Sequence, residues 1–428
     1  MSKLELNDIF NFNETADDCV KCGKCIPVCT IHNINPDEVT SPRGFLDLLG
    51  AYKRGNLDLD KNAKDIFESC FLCVACVEVC PKSIPTDMVI EQVRADIATE
   101  FGIAWYKKAF FLLLRHRWLN DIAFKLGWSF QTCGFKIKAE TNSMNSRVSL
   151  PMLKTDRLLP SLAKTSFLNS YPENIDNGGK RKVAIFIGCL ANYNYTGIGD
   201  SLLEILESLG IDAFLAKAQK CCSAPAYFTG DFDTVDSNAK FNIEYFESFS
   251  RDVEAILVPE ATCSAMLKVD YEHYFHDQPD WKARAKVVMD KVHMATEWLH
   301  KNTELETVLA SKKQDTKVVT YHDPCHAKKM QGISEEPRSL IRQNYKIVEM
   351  SDPNVCCGFG GVTMQSEKYH FAQAAGVPKA AMIRETGADI VSAECSACRM
   401  QINNSMHGAG VTTVFKNPIE LIAESLKR

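Results

Sequence analysis

The chain has 428 residues, with 49 Lys and Arg against 54 Asp and Glu, a net charge of -5, 46% hydrophobic residues and 24% charged ones. That balance suits a soluble globular chain of about two to four domains and supplies no basic excess for nucleic acid. Eighteen cysteines stand out. The opening MSKLELNDIFNFNETADDC has neither a basic n-region nor an apolar h-region, so thiolate ligands in a reducing cytoplasm are expected rather than disulfides.

In chain order the first element is a pair of cysteine runs. Cys19, Cys22, Cys25 and Cys29 are spaced C-x2-C-x2-C-x3-C; Cys70, Cys73, Cys76 and Cys80 repeat the spacing and are followed by Pro81. C-x2-C also suits zinc, but two four-cysteine runs favour cubane clusters. The runs are similar to the bacterial-ferredoxin ligand run, in which the fourth cysteine reaches over to the other cluster. That resemblance implies two [4Fe–4S] clusters, one on Cys19, Cys22, Cys25 and Cys80, the other on Cys70, Cys73, Cys76 and Cys29. Thr30 stands where the run usually carries proline. Residues 1–100 are assigned to this helical domain.

Residues 101–179 belong to neither cysteine system and are expected to form a helical or irregular linker. Within them AWYKKAFFLLLRHRWLNDIAFKLGW sets aromatics and leucines beside Lys107, Lys108, Arg115, Arg117 and Lys125. The apolar stretch Ala109–Leu114 is far short of the roughly 20 residues a spanning helix needs. Two readings stand: a segment lying in a membrane interface with Trp105 and Trp118 at its boundary, or a helix packed between domains. Asn142–Tyr171, polar and punctuated by proline, reads as irregular connection, and Cys133 as a small buried hydrophobe.

Beyond residue 179 the pattern is written twice. Apolar, β-branched runs lead to Cys189, Cys263, Cys325 and Cys395, and helical periodicity marks Asp200–Leu209, Ser366–Thr386 and Pro418–Leu426. Short apolar runs alternating with helices predict buried parallel strands in a duplicated α/β module, 180–310 and 311–428. Cysteines at the C-terminal ends of such strands fall where open α/β sheets place ligands. The first set is Cys189, Cys221, Cys222 and Cys263. The second is Cys325, Cys356, Cys357, Cys395 and Cys398, with Gly358, Gly360 and Gly361 beside the adjacent pair. Those glycines allow close backbone approach, with N–H groups aimed at sulfur.

The order C…CCG…C-x2-C resembles the cysteine-rich CCG domain found in pairs in heterodisulfide reductase subunits. With the ferredoxin runs it resembles the iron–sulfur subunits of anaerobic glycerol-3-phosphate dehydrogenase, of glycolate oxidase and of lactate-utilisation complexes. Segments SPRG (Ser41–Gly44), GC-x2-NYN (Gly188–Asn194), HDPCH (His322–His326) and GADIV (Gly387–Val391) carry the likeness. It implies a multidomain protein, a helical ferredoxin-like domain followed by two CCG modules, with a further, non-cubane iron–sulfur cluster in the intact second module. The first module is degenerate: Met266 replaces the last cysteine, and Ser223 the glycine. No dinucleotide fingerprint, paired carboxylates or nucleophile motif appears, so no catalytic residue is assigned. The resemblance implies an electron-transfer subunit of a flavin-dependent dehydrogenase, with FAD on a partner subunit and electrons directed to membrane quinone, and a place on the inner face of the cytoplasmic membrane. The alternative it offers is thiol or disulfide reduction at the CCG cluster. His322 and His326, flanking Cys325, are expected to hydrogen-bond and pack around the site.

Overall fold

The computed structural model describes residues 12–149 and 155–428. Its N-terminal part is helical for local reasons that can be read residue by residue. In SPRG, Ser41 Oγ caps helix Pro42–Lys53 by accepting from the Gly44 N–H at 2.9 Å, and Pro42 sits in the first turn. Residue 44 must be glycine, because a Cβ there would lie 1.9 Å from the Glu38 carbonyl oxygen. Asp60 caps Lys61–Phe67 in the same way, through the Ala63 N–H at 2.7 Å. Helix Thr86–Phe101 turns Val89, Ile90, Val93 and Ile97 onto Phe45, Leu49 and Phe67, forming the core that holds the cysteine loops.

Helices Trp105–Arg115 and Arg117–Gly134 follow, joined at His116. Their inner faces pack against the body: Phe111 and Leu114 are buried, and Phe124 stacks on Tyr193 with ring centroids 4.2 Å apart. Their outer faces leave Trp105 and Trp118 79% and 63% exposed. The inner face is thus packed against the body, as the interdomain reading expects, and the outer face is open to solvent. Lys107 does not belong to the outer face; it is buried and pairs with Glu367 at 2.7 Å. Among the described residues no helix is long and apolar enough to cross a membrane. Cys133, expected inside, is exposed.

The stretch from 135 to 160 differs from the helical or irregular expectation. Strands β1 (Phe135–Lys138), β2 (Ser143–Ser146) and β3 (Leu158–Pro160) make a small antiparallel sheet. Its pairing could not be seen in a polar sequence, because β2 reads Ser-Met-Asn-Ser and is buried by what covers it rather than by its own apolarity.

The duplicated part contains two sheets. The first joins β4 (Asn174–Ile175), β5 (Arg181–Ile185), β6 (Ile211–Leu215), β7 (Ile256–Val258) and β8 (Val292–Met294) in the order β4-β6-β5-β7-β8. The second joins β9 (Val318–Tyr321), β10 (Lys346–Ile347), β11 (Ile390–Ser392) and β12 (Val414–Lys416) in the order β10-β9-β11-β12. Leaving aside β4, which pairs antiparallel and lies before residue 180, the two sheets share one all-parallel order. Val183, Ala184 and Ile185 are wholly buried, as befits a central strand covered on both faces.

The second module has a small core of its own around Val319, Tyr321 and Ile390, but a larger one is shared between the modules. Helix Pro418–Leu426, started by a capping box between Asn417 and Glu420, buries Ile419 and Ile422 against Leu202, Leu206 and Ile185 of the first module. Each such side chain contributes on the order of 2 kcal/mol. The ferredoxin part is fused just as closely. Arg94 donates to the carbonyls of Phe228 (2.9 Å), Phe67 (3.2 Å) and Cys70 (2.7 Å), and Lys368 pairs with Asp65.

Candidate metal centres

All eighteen cysteines are free thiols. The ferredoxin loops bring theirs together in two groups that cross the sequence. One hollow is lined by Cys19, Cys22, Cys25 and Cys80, with Cys76 at its edge; a second is lined by Cys29, Cys70, Cys73 and Cys76. Cys29 ends one loop at the start of the short helix Thr30–Ile34, and this turn carries its sulfur to Cys70 and Cys73. Burial pushes the Cys29 and Cys70 thiols up to about 12. A buried nest of protonated thiols is unstable as a set of anions, and a multivalent cation is what would let all four ionise together. The donor set thus fits a thiolate-held cluster. The Leu72 N–H points at Cys70 Sγ (3.4 Å), and Thr30 Oγ1 lies 3.5 Å from Cys73 Sγ. A proline at position 30 could not make that contact.

The strand ends present nine more, leaving only Cys133 outside the sets. In the first module Cys189 follows β5, Cys221 and Cys222 follow β6, and Cys263 follows β7. Cys222 Sγ and Cys263 Sγ are 3.4 Å apart, and Cys189 hydrogen-bonds Cys221. Met266 is fully buried in the apolar core, in a π-helical stretch Met266–Asp270, so this set holds four thiols. In the second module Cys357 Sγ lies 3.4 Å from Cys398 Sγ, and the Cys398 N–H points at Cys395 Sγ (3.4 Å). Of the three glycines only Gly358 aims its N–H at a cysteine, Cys356 Sγ at 3.4 Å. Gly360 instead leaves room for Phe71, whose ring carbon would lie 2.8 Å from a Cβ. Ser223 copies Gly358 closely: its φ is +76° against +89°, and its N–H reaches Cys221 Sγ at 3.4 Å. The loop geometry survives the loss of glycine, with Asn238 donating to Ser223 Oγ at 3.0 Å.

The sets adjoin one another. Cys73 hydrogen-bonds Cys356, so the second ferredoxin group touches the second module. Between the modules, Thr262 Oγ1 lies 3.6 Å from Cys395 Sγ and 3.5 Å from His326 Nδ1. Two buried carboxyls lock the modules in a reciprocal way: Glu260 accepts from the Ser396 N–H at 2.7 Å, and Glu394 from the Thr296 N–H at 3.2 Å. Burial pushes them up to about 7 and about 8.

Sequence reasoning missed two buried lysines here, whereas His322 had been expected to pack at the site. Lys329 donates to the carbonyls of Cys73 (3.3 Å) and Asn354 (3.2 Å). Burial works against its charge, yet Cys73, Cys325 and Cys356 outweigh that and hold it above its ordinary value. Lys379, wholly buried, donates to the Asp352 and Pro353 carbonyls, and burial brings it down to about 8. His322 gives Nδ1 to the Pro353 carbonyl (3.2 Å), while Nε2 is buried without a partner; its ring lies within 4.8 Å of Cys357 and Cys398 as a sixth potential donor. Lys329, four residues after Cys325 in the HDPCHAKK run, was close enough in sequence to have been suspected; Lys379 was not.

Both strand-end sets open on one cavity of about 440 Å³, floored by Cys189, Cys222, Cys263, Cys325, Cys356, Cys357, Cys395 and Cys398. Its remaining walls are mainly apolar, from Phe71, Leu72, Phe110, Phe228, Phe359 and Met400.

Comparison with known proteins agrees with this arrangement. The 4Fe-4S dicluster domain family matches residues 15–84, and the cysteine-rich domain family matches 183–268 and 319–403. The chain is 29% identical to a probable glycolate oxidase iron–sulfur subunit of Bacillus subtilis, over 84% of each chain. It is 34% identical to lactate utilization protein A of Bacillus cytotoxicus, over 54% of this chain and 93% of that one. An uncharacterised iron–sulfur protein of Methanococcus maripaludis is 30% identical over 91% of this chain and 67% of its own length. In fold, a hypothetical protein from Helicobacter pylori matches with a TM-score of 0.53 at 12% identity, over 98% of this chain and 76% of that one.

Proposed function

Because the chain belongs to the family of iron–sulfur proteins that join a 4Fe-4S dicluster domain to paired cysteine-rich domains, we infer that it is the electron-transfer subunit of a flavin-dependent dehydrogenase. The dehydrogenase would oxidise a small hydroxylated acid of the glycolate or lactate type on a separate FAD subunit, and quinone would be the final acceptor. The observation that carries this reading is the contiguity of the thiol sets, which run from the exposed Cys22 through the Cys73–Cys356 contact to the buried cavity between the modules.

Cys19, Cys22, Cys25 and Cys80 would hold one cubane; Cys29, Cys70, Cys73 and Cys76 the other. The five thiols of the second module would hold a further cluster, and the four of the first module a simpler one. Clusters bound there supply one-electron redox steps. The protein's own groups do the rest. Backbone N–H groups of Leu72, Ser223, Gly358 and Cys398 donate to sulfur, and such bonds favour the reduced state. The Lys329 ammonium, held between Cys73 and Cys325, offsets negative charge where two sets meet. Around the exposed end, Val20, Lys21, Cys22 and Lys24 are open to solvent and offer a partner an apolar, basic patch.

Anaerobic purification of the tagged chain from its native cells tests this. A co-purifying flavoprotein that reduces the clusters with a 2-hydroxy acid is the expected result. The facing cysteine sets favour one second reading, disulfide reduction at the cavity. Turnover of a disulfide by the isolated chain, with no flavoprotein bound, would replace the first reading with this one.

A further inference from the structure

We propose that His322 is a further ligand of the centre in the second module, binding iron through Nε2 beside Cys357 and Cys398. This rests on the reading of that module as a cluster site and adds a nitrogen donor to its thiols. His322 directly follows β9, and its backbone N–H bonds the carbonyl of Ser392, the last residue of β11, at 2.9 Å. The strand ends therefore fix where its side chain starts. The residue is 1% exposed, and Nδ1 lies 3.2 Å from the Pro353 carbonyl oxygen. A carbonyl can only accept, so Nδ1 carries the proton. The same oxygen accepts from the Asp323 N–H (3.1 Å) and from the Lys379 ammonium (3.3 Å), which disfavours a second positive charge on the imidazole. The ring is thus neutral, and Nε2 presents a lone pair. That atom is buried, and among the described residues nothing donates to it. A buried acceptor left without a donor is costly and calls for an explanation.

Its surroundings supply one. A ring nitrogen of His322 and the sulfurs of Cys357 and Cys398 all lie within 4.8 Å of one another. As thiolates those sulfurs have no proton to give, so lone pairs would face lone pairs unless a cation sat among them. An iron ion reached by all three satisfies them together, and imidazole suits iron. A ligating histidine ordinarily gives its other ring N–H to a carbonyl or carboxylate, as His322 does to Pro353. His326 is placed differently. Its ring stacks on Phe228 with centroids 5.6 Å apart, and its Nδ1 already has Cys325 Sγ at 3.4 Å and Thr262 Oγ1 at 3.5 Å.

The first module carries the same argument in reverse. β5 and β9 each end four residues before their cysteine, so Phe186 corresponds to His322 as Met266 corresponds to Cys398. Both apolar residues are buried in one core cluster. The nitrogen and sulfur donors that sit together in the second module are therefore lost together in the first, while Cys222, the counterpart of Cys357, remains. Two donors replaced as a pair served one metal position. A neutral nitrogen there adds no negative charge, so His322 holds the potential of the second centre above that of an all-thiolate set.

The test is pulsed electron paramagnetic resonance of the anaerobic, iron-loaded full chain, with iron in each centre counted by Mössbauer spectroscopy; neither needs a partner. A coupling from directly bound nitrogen is expected at the second module's centre, and heavy-nitrogen histidine labelling should change it. His322→Phe, which copies the first module, should abolish the coupling and lower the iron content of that centre. His322→Cys should restore the iron without the coupling and lower the midpoint potential. His326→Gln should leave the coupling in place. An iron-loaded second module with no histidine coupling, a coupling that survives in His322→Phe, or one lost in His326→Gln would overturn the ligand and leave the cluster reading standing. A second module without iron while both ferredoxin centres are filled would sink the cluster reading of that module, and the ligand with it.

Discussion

Cys29 shows how one residue ties two stretches of chain together. Its loop belongs to the first run, but its sulfur lies with Cys70 and Cys73. Cys29→Ser should therefore abolish the electron paramagnetic resonance signal of the second ferredoxin centre and spare that of the first; loss of the first instead would mean each run closes on itself. Asp270 is a different case. It is 3% exposed, its Oδ2 has no hydrogen-bond partner, and burial raises it to about 7, with His326 opposing and Asp87 adding to the rise. Its folded value lies above the unfolded carboxylate's, so the native state binds the proton more tightly. Stability from this group is present in full at acid pH and falls as pH rises from about 4 to about 7. Asp270→Asn should remove the penalty, raising stability at pH 8 by on the order of 2 kcal/mol and flattening the pH dependence of thermal melting. An unchanged melting profile would show that Asp270 is not the group responsible.

At the scale of elements, the pair Trp105–Arg115 and Arg117–Gly134 divides its basic residues by face. Lys107 pairs with Glu367 and Arg117 lies near Asp121, whereas Lys108 and Lys125 are exposed. Each exposed lysine near an anionic surface contributes on the order of 1 kcal/mol, weakened by salt. Lys108→Glu with Lys125→Glu should release the chain from phosphatidylserine vesicles in a flotation assay and leave the cluster spectra intact. Lys107→Glu should instead lower the melting temperature, because it places two carboxylates together in a buried site. Retention of the double variant on vesicles at high salt would remove the membrane role from this face.

At the scale of the whole molecule, the ferredoxin part and the modules behave as one body because their contacts are buried and directional. Gly230 has φ +85°, and a Cβ there would lie 2.3 Å from the Arg94 carbonyl oxygen, a backbone atom that cannot move aside. Gly230→Ala should cost roughly 3 kcal/mol, shown as a lower midpoint of one cooperative urea transition. Two separate transitions in the wild-type chain would contradict a shared core. Replacing Arg94 should have the same sign, since Phe228, Phe67 and Cys70 would each lose a donor to a buried carbonyl.

The chain's own order determined much of this. Ligand spacing is a local property, so the two ferredoxin runs and the CCG pair could be read directly, and the apolar runs ending at Cys189, Cys263, Cys325 and Cys395 became β5, β7, β9 and β11 or the turns just after them. The helix expected over 366–386 runs Tyr369–Thr386, with Ser366 ending the preceding helix Gly361–Ser366, and Glu367 and Lys368 in the break between them pair with Lys107 and Asp65. What only the tertiary structure decided are relations between residues far apart in sequence: Cys73 against Cys356, Glu260 on Ser396, Arg157 on Gln365, and Met266 drawn into the core. Spacing and periodicity record what neighbours along the chain share. The charges and hydrogen bonds around the site come from segments as much as 303 positions apart, as Lys368 and Asp65 are, and only packing brings them together.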